Sequence, residues 1–181
     1  MVLFFGPPGS GKSVQGELLV KRNGWQWLST GQLFRESKDP EVLERLATGE
    51  LIDDELTNKV LAAALDGVSS ATEIVLDGYP RNIDQAQWLI DNLPKYGRSI
   101  TCVIQFTVPK EELIARLSGR GRSEDTAEVV ERRLDIYEEK TKPVLDFYTD
   151  RGTKVIEIDG VGTPEEVHER IQSAVESCIH E

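Results

Sequence analysis

Gly6-Pro7-Pro8-Gly9-Ser10-Gly11-Lys12-Ser13 is the stretch whose reading decides the fold. It satisfies the pattern GxxxxGK followed by Ser or Thr, and it stands between the apolar run Val2 to Phe5 and a helical pattern over Lys12 to Asn23. Glycines there permit backbone angles that turn several N–H groups toward one point, and the helix that follows adds its dipole. The loop is therefore built to hold phosphates, with Lys12 reaching the β- and γ-phosphates of a nucleotide. Read instead as a plain glycine turn, the stretch would leave the Lys12 charge unpaired beside a helix start. A dinucleotide fingerprint fails because Lys12 and Val14 stand where small residues are needed. Guanine recognition by NKxD fails because Asn58-Lys59-Val60 is followed by Leu61.

Outward from the loop, strand-length apolar runs cover Val2 to Phe5, Trp25 to Ser29, Glu73 to Asp77, Ile100 to Val108 and Val155 to Asp159. They are continuous rather than alternating, as in strands buried on both faces of a parallel sheet. Helical patterns lie between them over residues 12–23, 31–47, 53–66, 83–93, 110–117, 126–151 and 164–178. The alternation predicts an α/β, doubly wound, five-stranded parallel sheet of the P-loop NTPase type. Two interruptions stand out: an all-helical insertion between Thr30 and Ala71, and Gly119 to Asp125, too polar and glycine-rich for a core and read as an exposed flap or its hinge. Both belong around the crevice at the carboxyl ends of the strands.

Composition narrows the partners. The 181 residues suit one folding unit, and 21 basic against 32 acidic side chains give a net charge of −11, the wrong sign for nucleic acid or an anionic membrane. No apolar run is long enough to span a bilayer or serve as a signal segment, so the expected location is the cytoplasm. Cys102 and Cys178 are far apart and make no CxxC pair; both are read as structural thiols, with no structural zinc.

Further motifs narrow the chemistry: Leu28-Ser29-Thr30-Gly31-Gln32-Leu33-Phe34-Arg35, Gly49-Glu50-Leu51-Ile52-Asp53-Asp54, Asp77-Gly78-Tyr79-Pro80-Arg81-Asn82-Ile83-Asp84-Gln85, Arg116-Leu117-Ser118-Gly119-Arg120-Gly121, Glu131-Arg132-Arg133-Leu134 and Asp159-Gly160. In this order and spacing, with the phosphate loop, the chain resembles the adenylate kinase family from end to end, in its short-lid form. The resemblance implies a core of residues 1–29, 68–118 and 134–181, a helical nucleoside-monophosphate-binding insertion at 30–67, and a lid at 119–133. It implies reversible phosphoryl transfer from Mg-ATP to AMP, giving two ADP.

Carried over by position, the resemblance places ATP on Gly9, Ser10, Gly11, Lys12, Ser13, Val14, Arg116, Arg120 and Gly162. It places AMP on Thr30, Arg35, Glu50, Leu51, Ile52, Gly78, Tyr79, Arg81, Gln85, Arg122 and Arg133, with Thr30 and Gln85 facing the adenine. Lys12, Arg81, Arg122 and Arg133 are the expected catalytic set, and Mg²⁺ would sit near Ser13 and, through water, on Asp77. The residues themselves agree on Asp77, since a carboxylate at that strand end lies near the loop and Mg²⁺ takes few carboxylates plus water. An Asp-Gly turn is the plainer reading of the same pair. Five arginines gathered at the flap of an acidic chain are better explained as charge supplied to phosphates than as a solvated face, with Arg132 expected at the surface.

Val14 stands where a threonine is usual in the family, and Glu50 where a lysine is common. A UMP/CMP kinase on the same scaffold is the nearest rival, but it tends to carry alanine at the position of Thr30 and asparagine at that of Gln85. A nucleotide-binding module without turnover is the rival of another class, opposed by the joint presence of Lys12, Asp77, Arg81 and Arg133. Two moving lids leave little surface for a rigid interface, so a monomer is expected.

Overall fold

The computed structural model describes residues 1–122 and 125–179. Positions 123 and 124 of the expected flap, and 180 and 181 of the expected core, lie outside the described residues. The strands β1 (Val2–Phe5), β2 (Gln26–Ser29), β3 (Ile74–Asp77), β4 (Cys102–Thr107) and β5 (Val155–Asp159) form one parallel sheet in the order β2-β3-β1-β4-β5. Each lies inside the run read from the sequence.

The pleat explains why those runs are apolar throughout. On β1, Leu3 and Phe5 face one core with Leu28, Leu76 and Val103, while Val2 and Phe4 face a second with Val75, Ile104 and Phe106. The first core is covered by α4 (Asp54–Asp66), α5 (Ile83–Asn92) and α8 (Pro143–Thr149), through Leu61, Leu65, Leu89, Val144 and Tyr148. The second is covered by α1 (Lys12–Asn23) and α9 (Pro164–Ile179), through Leu19, Val167, Ile171 and Val175.

Gly16 marks how closely α1 approaches β2. A Cβ there would stand 1.8 Å from Cζ3 of Trp27, whose ring meets Phe4 edge-on at 6.2 Å. Gly16→Ala is expected to lower stability by about 1–2 kcal/mol, because overpacking of about 1–3 kcal/mol exceeds the helix propensity that alanine returns. A urea unfolding midpoint equal to or above the parent's would show that Trp27 moves aside freely.

Three helical expectations are corrected. The pattern over 31–47 is two helices, α2 (Thr30–Ser37) and α3 (Pro40–Thr48). Between them Lys38 adopts a left-handed φ of 56°, and Asp39 caps α3 by accepting from the Glu41 and Val42 N–H groups. Pro40 has no N–H to continue a helix but suits its first turn. The pattern over 126–151 is α7 (Ala127–Ile136), a wide turn at Tyr137–Thr141 closed by Lys142 N–H donating to Tyr137 O at 2.8 Å, and then α8. Pro143 again supplies no N–H. Finally α6 (Lys110–Arg120) runs three residues past the expected end, so Gly119 and Arg120 are helical rather than flap, and Gly121 at φ 72° ends the helix.

The insertion has its own small core of Phe34, Val42 and Ile52, backed by Leu46 and Val60. Leu113 and Leu117 of α6 pack on Val130 and Leu134 of α7 in another.

Candidate active site

Parallel strands bring their carboxyl ends to one edge, and a cleft of about 390 Å³ opens there, within the size range of small-molecule sites. The phosphate loop forms its floor. Gly9 (φ 85°) and Gly11 (φ 96°) take angles that side chains disfavour, and α1 starts at Lys12. Lys12 Nζ donates to Gly6 O at 2.7 Å, Pro7 O at 3.0 Å and the buried Ser10 Oγ at 3.3 Å. Even so, its ammonium is pushed down to about 8: burial is the main cause, Asp77 opposes it, and Arg81, Arg133 and Arg120 add to it. A lysine destabilised mainly by burial, and further by the guanidinium groups around it, gains from a polyanion placed beside it.

Register puts a carboxylate beside that loop. Asp77 ends β3 opposite Phe4 of β1 and Ser29 of β2, and its Oδ2 accepts from Ser29 Oγ at 3.3 Å. Asp77 is 6% exposed, and its Oδ1 is buried with no hydrogen-bond partner among the described residues.

Arg81 reaches the cleft from the loop after Asp77. Its Nε donates to Gly78 O at 2.8 Å and its carbonyl accepts from Thr141 Oγ1 at 2.9 Å. Burial holds its guanidinium below the ordinary arginine value, with Asp77 opposing and Arg35 of α2 adding. Thr30 Oγ1 also donates to Gly78 O, at 2.8 Å.

Arginines make the opposite wall. Arg116 and Arg120 of α6, Arg122 of the loop that follows it, and Arg133 of α7 all line the cleft. Arg116 is held by Glu112 at 2.9 Å and by Gly160 O at 3.0 Å. Arg120 makes a two-point contact with Asp125, at 2.7 and 2.5 Å, and Arg133 Nη1 lies 3.5 Å from the same carboxylate. Burial pushes the Asp125 carboxyl up, but its bonds to Arg120 and the Arg122 N–H, with the charge of Arg133, hold it below the usual carboxylate range. Asp125 belongs to no motif quoted above, and its side chain is only 3% exposed. Arg132 is at the surface as expected, 3.7 Å from Glu50 and donating to Thr48 O at 3.3 Å.

The cleft thus gathers Gly9, Gly11, Lys12, Ser13, Val14, Arg35, Leu51, Asp77, Gly78, Tyr79, Arg81, Arg116, Arg120, Arg122 and Arg133. Six other expected site residues stand off its lining. Ser10 and Thr30 are buried just beneath, Glu50 is exposed, and Ile52 lies in the insertion's core. Gln85, 2% exposed, accepts at Oε1 from the Arg81 N–H at 2.8 Å and donates from Nε2 to Asp54 Oδ1 at 2.7 Å. Gly162 lies in the turn before α9, where a Cβ would meet Glu166.

Known proteins resemble the chain over most of its length. The family model for adenylate kinase matches residues 4–153. An adenylate kinase of Mycobacteroides abscessus is 39% identical over 181 residues, covering 96% of this chain and 98% of its own length. Those of Mycobacterium ulcerans and Mycobacterium tuberculosis are 38% and 37% identical over 180 residues, with the same coverage.

Proposed function

The chain belongs to the adenylate kinase family, and from that membership we propose how its cleft residues divide the transfer of a phosphoryl group. It is a nucleoside monophosphate kinase, moving the γ-phosphoryl of ATP reversibly to AMP and giving two ADP. The phosphate loop, Gly9 to Val14, and Lys12 hold the donor's phosphates, with Arg116, Arg120 and the Gly162 turn on the rest of ATP. Arg35 and Arg81 grip the phosphate of AMP. Thr30, Gln85, the backbone from Glu50 to Ile52 and the Gly78-Tyr79 turn hold its nucleoside.

Phosphoryl transfer spreads charge over the equatorial oxygens of a loose transition state and asks for little covalent help, so positioning and electrostatics dominate. The AMP phosphate is already a competent nucleophile and no residue is assigned as a base. Lys12, Arg81, Arg122 and Arg133 neutralise the migrating group from different sides. The supporting observation is geometric: Lys12, Arg81, Arg122 and Arg133 all line the one cleft over the phosphate loop. Closure of the lid excludes water, which would otherwise accept the phosphoryl group.

Asp77 fits a role at magnesium, since its buried Oδ1 has no hydrogen-bond partner among the described residues. Mg²⁺ held through water on Asp77, with Ser13 beside it, would neutralise and orient the donor phosphates, as expected of an ion that keeps most of its waters. The reading includes a monomer in the cytoplasm. No helix among the described residues is long and apolar enough to cross a membrane.

The test is ADP formation from ATP with AMP, CMP, UMP or GMP as acceptor. AMP is expected to be preferred over CMP, and Gln85→Asn to cut that preference by about ten-fold, the scale of one unpaired polar group. Equal rates with AMP and CMP in the parent would favour the pyrimidine kinase, and no ADP with any acceptor would favour a silent module.

A further inference from the structure

We propose that Asp54 is a positioning residue for the choice of acceptor base, acting by fixing which way round the Gln85 side-chain amide stands. The inference rests on the reading that Gln85 faces the base of the acceptor nucleotide. Asp54 opens α4 and Gln85 lies in the first turn of α5, so the contact ties the insertion to the core across 31 positions of sequence.

The amide is held at both ends. Gln85 Nε2 donates to Asp54 Oδ1 at 2.7 Å, and Gln85 Oε1 accepts from the Arg81 N–H at 2.8 Å. Asn82 closes the ring: its Nδ2 donates to Asp54 Oδ1 and Oδ2 at 3.0 and 3.1 Å, and its Oδ1 accepts from the Gln85 N–H at 2.8 Å. A carboxylate only accepts and a backbone N–H only donates, so the chemistry of the partners leaves one orientation. Turned by half a rotation, Gln85 would set its carbonyl against a carboxylate and its NH₂ against an N–H. Either contact would set like polar groups against each other in a side chain only 2% exposed.

With these bonds made, the amide keeps one N–H hydrogen and one lone pair on Oε1 for a ligand. A fixed donor and acceptor suit a ring nitrogen beside an amino group. They oppose a ring N–H beside a keto oxygen, which needs the reversed amide. AMP and IMP differ in this respect and are otherwise nearly isosteric, so IMP reads the orientation of Gln85 directly.

Asp54→Ala removes the acceptor that holds Nε2, one of the two holds on the amide, and leaves only the Arg81 N–H to oppose its turning. Asp54→Asn keeps an oxygen that Gln85 and Asn82 can both reach. The experiment measures kcat/KM for AMP and for IMP, and KM for ATP, in the parent, Asp54→Ala, Asp54→Asn and Gln85→Ala. The AMP-over-IMP ratio is expected to fall about five-fold or more in Asp54→Ala, to stay within about three-fold of the parent in Asp54→Asn, and to collapse in Gln85→Ala, with KM for ATP little changed. An unchanged ratio in Asp54→Ala, an equal loss in Asp54→Asn, or a matching rise in KM for ATP would overturn the inference while leaving Gln85 in its role. An unchanged ratio in Gln85→Ala would instead overturn the reading of Gln85 itself, and the inference with it.

Discussion

Lys12→Met is expected to lower kcat by about 10³-fold, the upper range for removing one preorganised charge donor from a transition state. No other residue of the cleft can take its place: Nζ sits on the loop's own carbonyls, at the point where Asp77, Arg81, Arg120 and Arg133 converge. Folding should not be the cause of the loss. Lys12 titrates at about 8 in the folded chain against an ordinary 10.5, so below pH 8 it is charged in both folded and unfolded chains and its unfavourable burial is fully present. That penalty is relieved as pH rises from about 8 toward 10.5. The variant's Tm at pH 7 is therefore expected to equal or exceed the parent's, with the difference narrowing by pH 10. In the parent, kcat/KM for ATP should decline above about pH 8 as the free enzyme loses this charge. A variant retaining a tenth of parental kcat would remove Lys12 from the mechanism.

Arg81→Met is expected to lower kcat/KM for AMP by about 10²–10⁴-fold, the worth of two charge-assisted hydrogen bonds at about 1.5–3 kcal/mol each, while KM for ATP stays within about three-fold. Because Nε is spent on Gly78 O, the terminal nitrogens are left to face the cleft. The backbone N–H of the same residue is held by Gln85, which fixes the base of the side chain. Arg81→Lys should recover little, since a lysine keeps the charge but has no Nε to brace on Gly78 and no planar fork. Steady-state kinetics with each substrate varied separately checks both variants. A loss falling equally on ATP and AMP would confine Arg81 to the migrating phosphoryl group and remove its grip on AMP.

The strands and the loop after β1 were legible because both depend on local pattern. Val2 to Phe5 is apolar at every position because its two faces serve two cores, and Gly9, Gly11 and Lys12 carry their own backbone logic. The split between α2 and α3 was legible too, in the Asp39-Pro40 pair, but periodicity on either side spoke louder. The wide turn before Pro143 was hidden in the same way.

Long-range pairings had no sequence signal. Nothing in the spacing of Asp54 and Gln85, or of Ser29 and Asp77, announces a hydrogen bond. Asp125 is the clearest case. Read in the chain it is one acid among 32, yet in space its carboxylate joins Arg120 to Arg133. The arginine cluster itself points to phosphate, but nothing in the sequence singles out Asp125 as its counter-ion.

The insertion's private core gives it a mechanical identity. Phe34, Val42 and Ile52, with Leu46 and Val60, tie α2, α3, the turn before α4 and the middle of α4 into one small body. Val60 belongs to that body, while its neighbour Leu61 and then Leu65 are sunk in the main core, so α4 is gripped by both bodies and serves as the axle. Were the smaller body to turn about α4, the large core could stay packed while the Asp54 contacts to Asn82 and Gln85 yield. The energy of swinging is thereby uncoupled from the energy of folding, and evolution can tune the tempo of one without endangering the other.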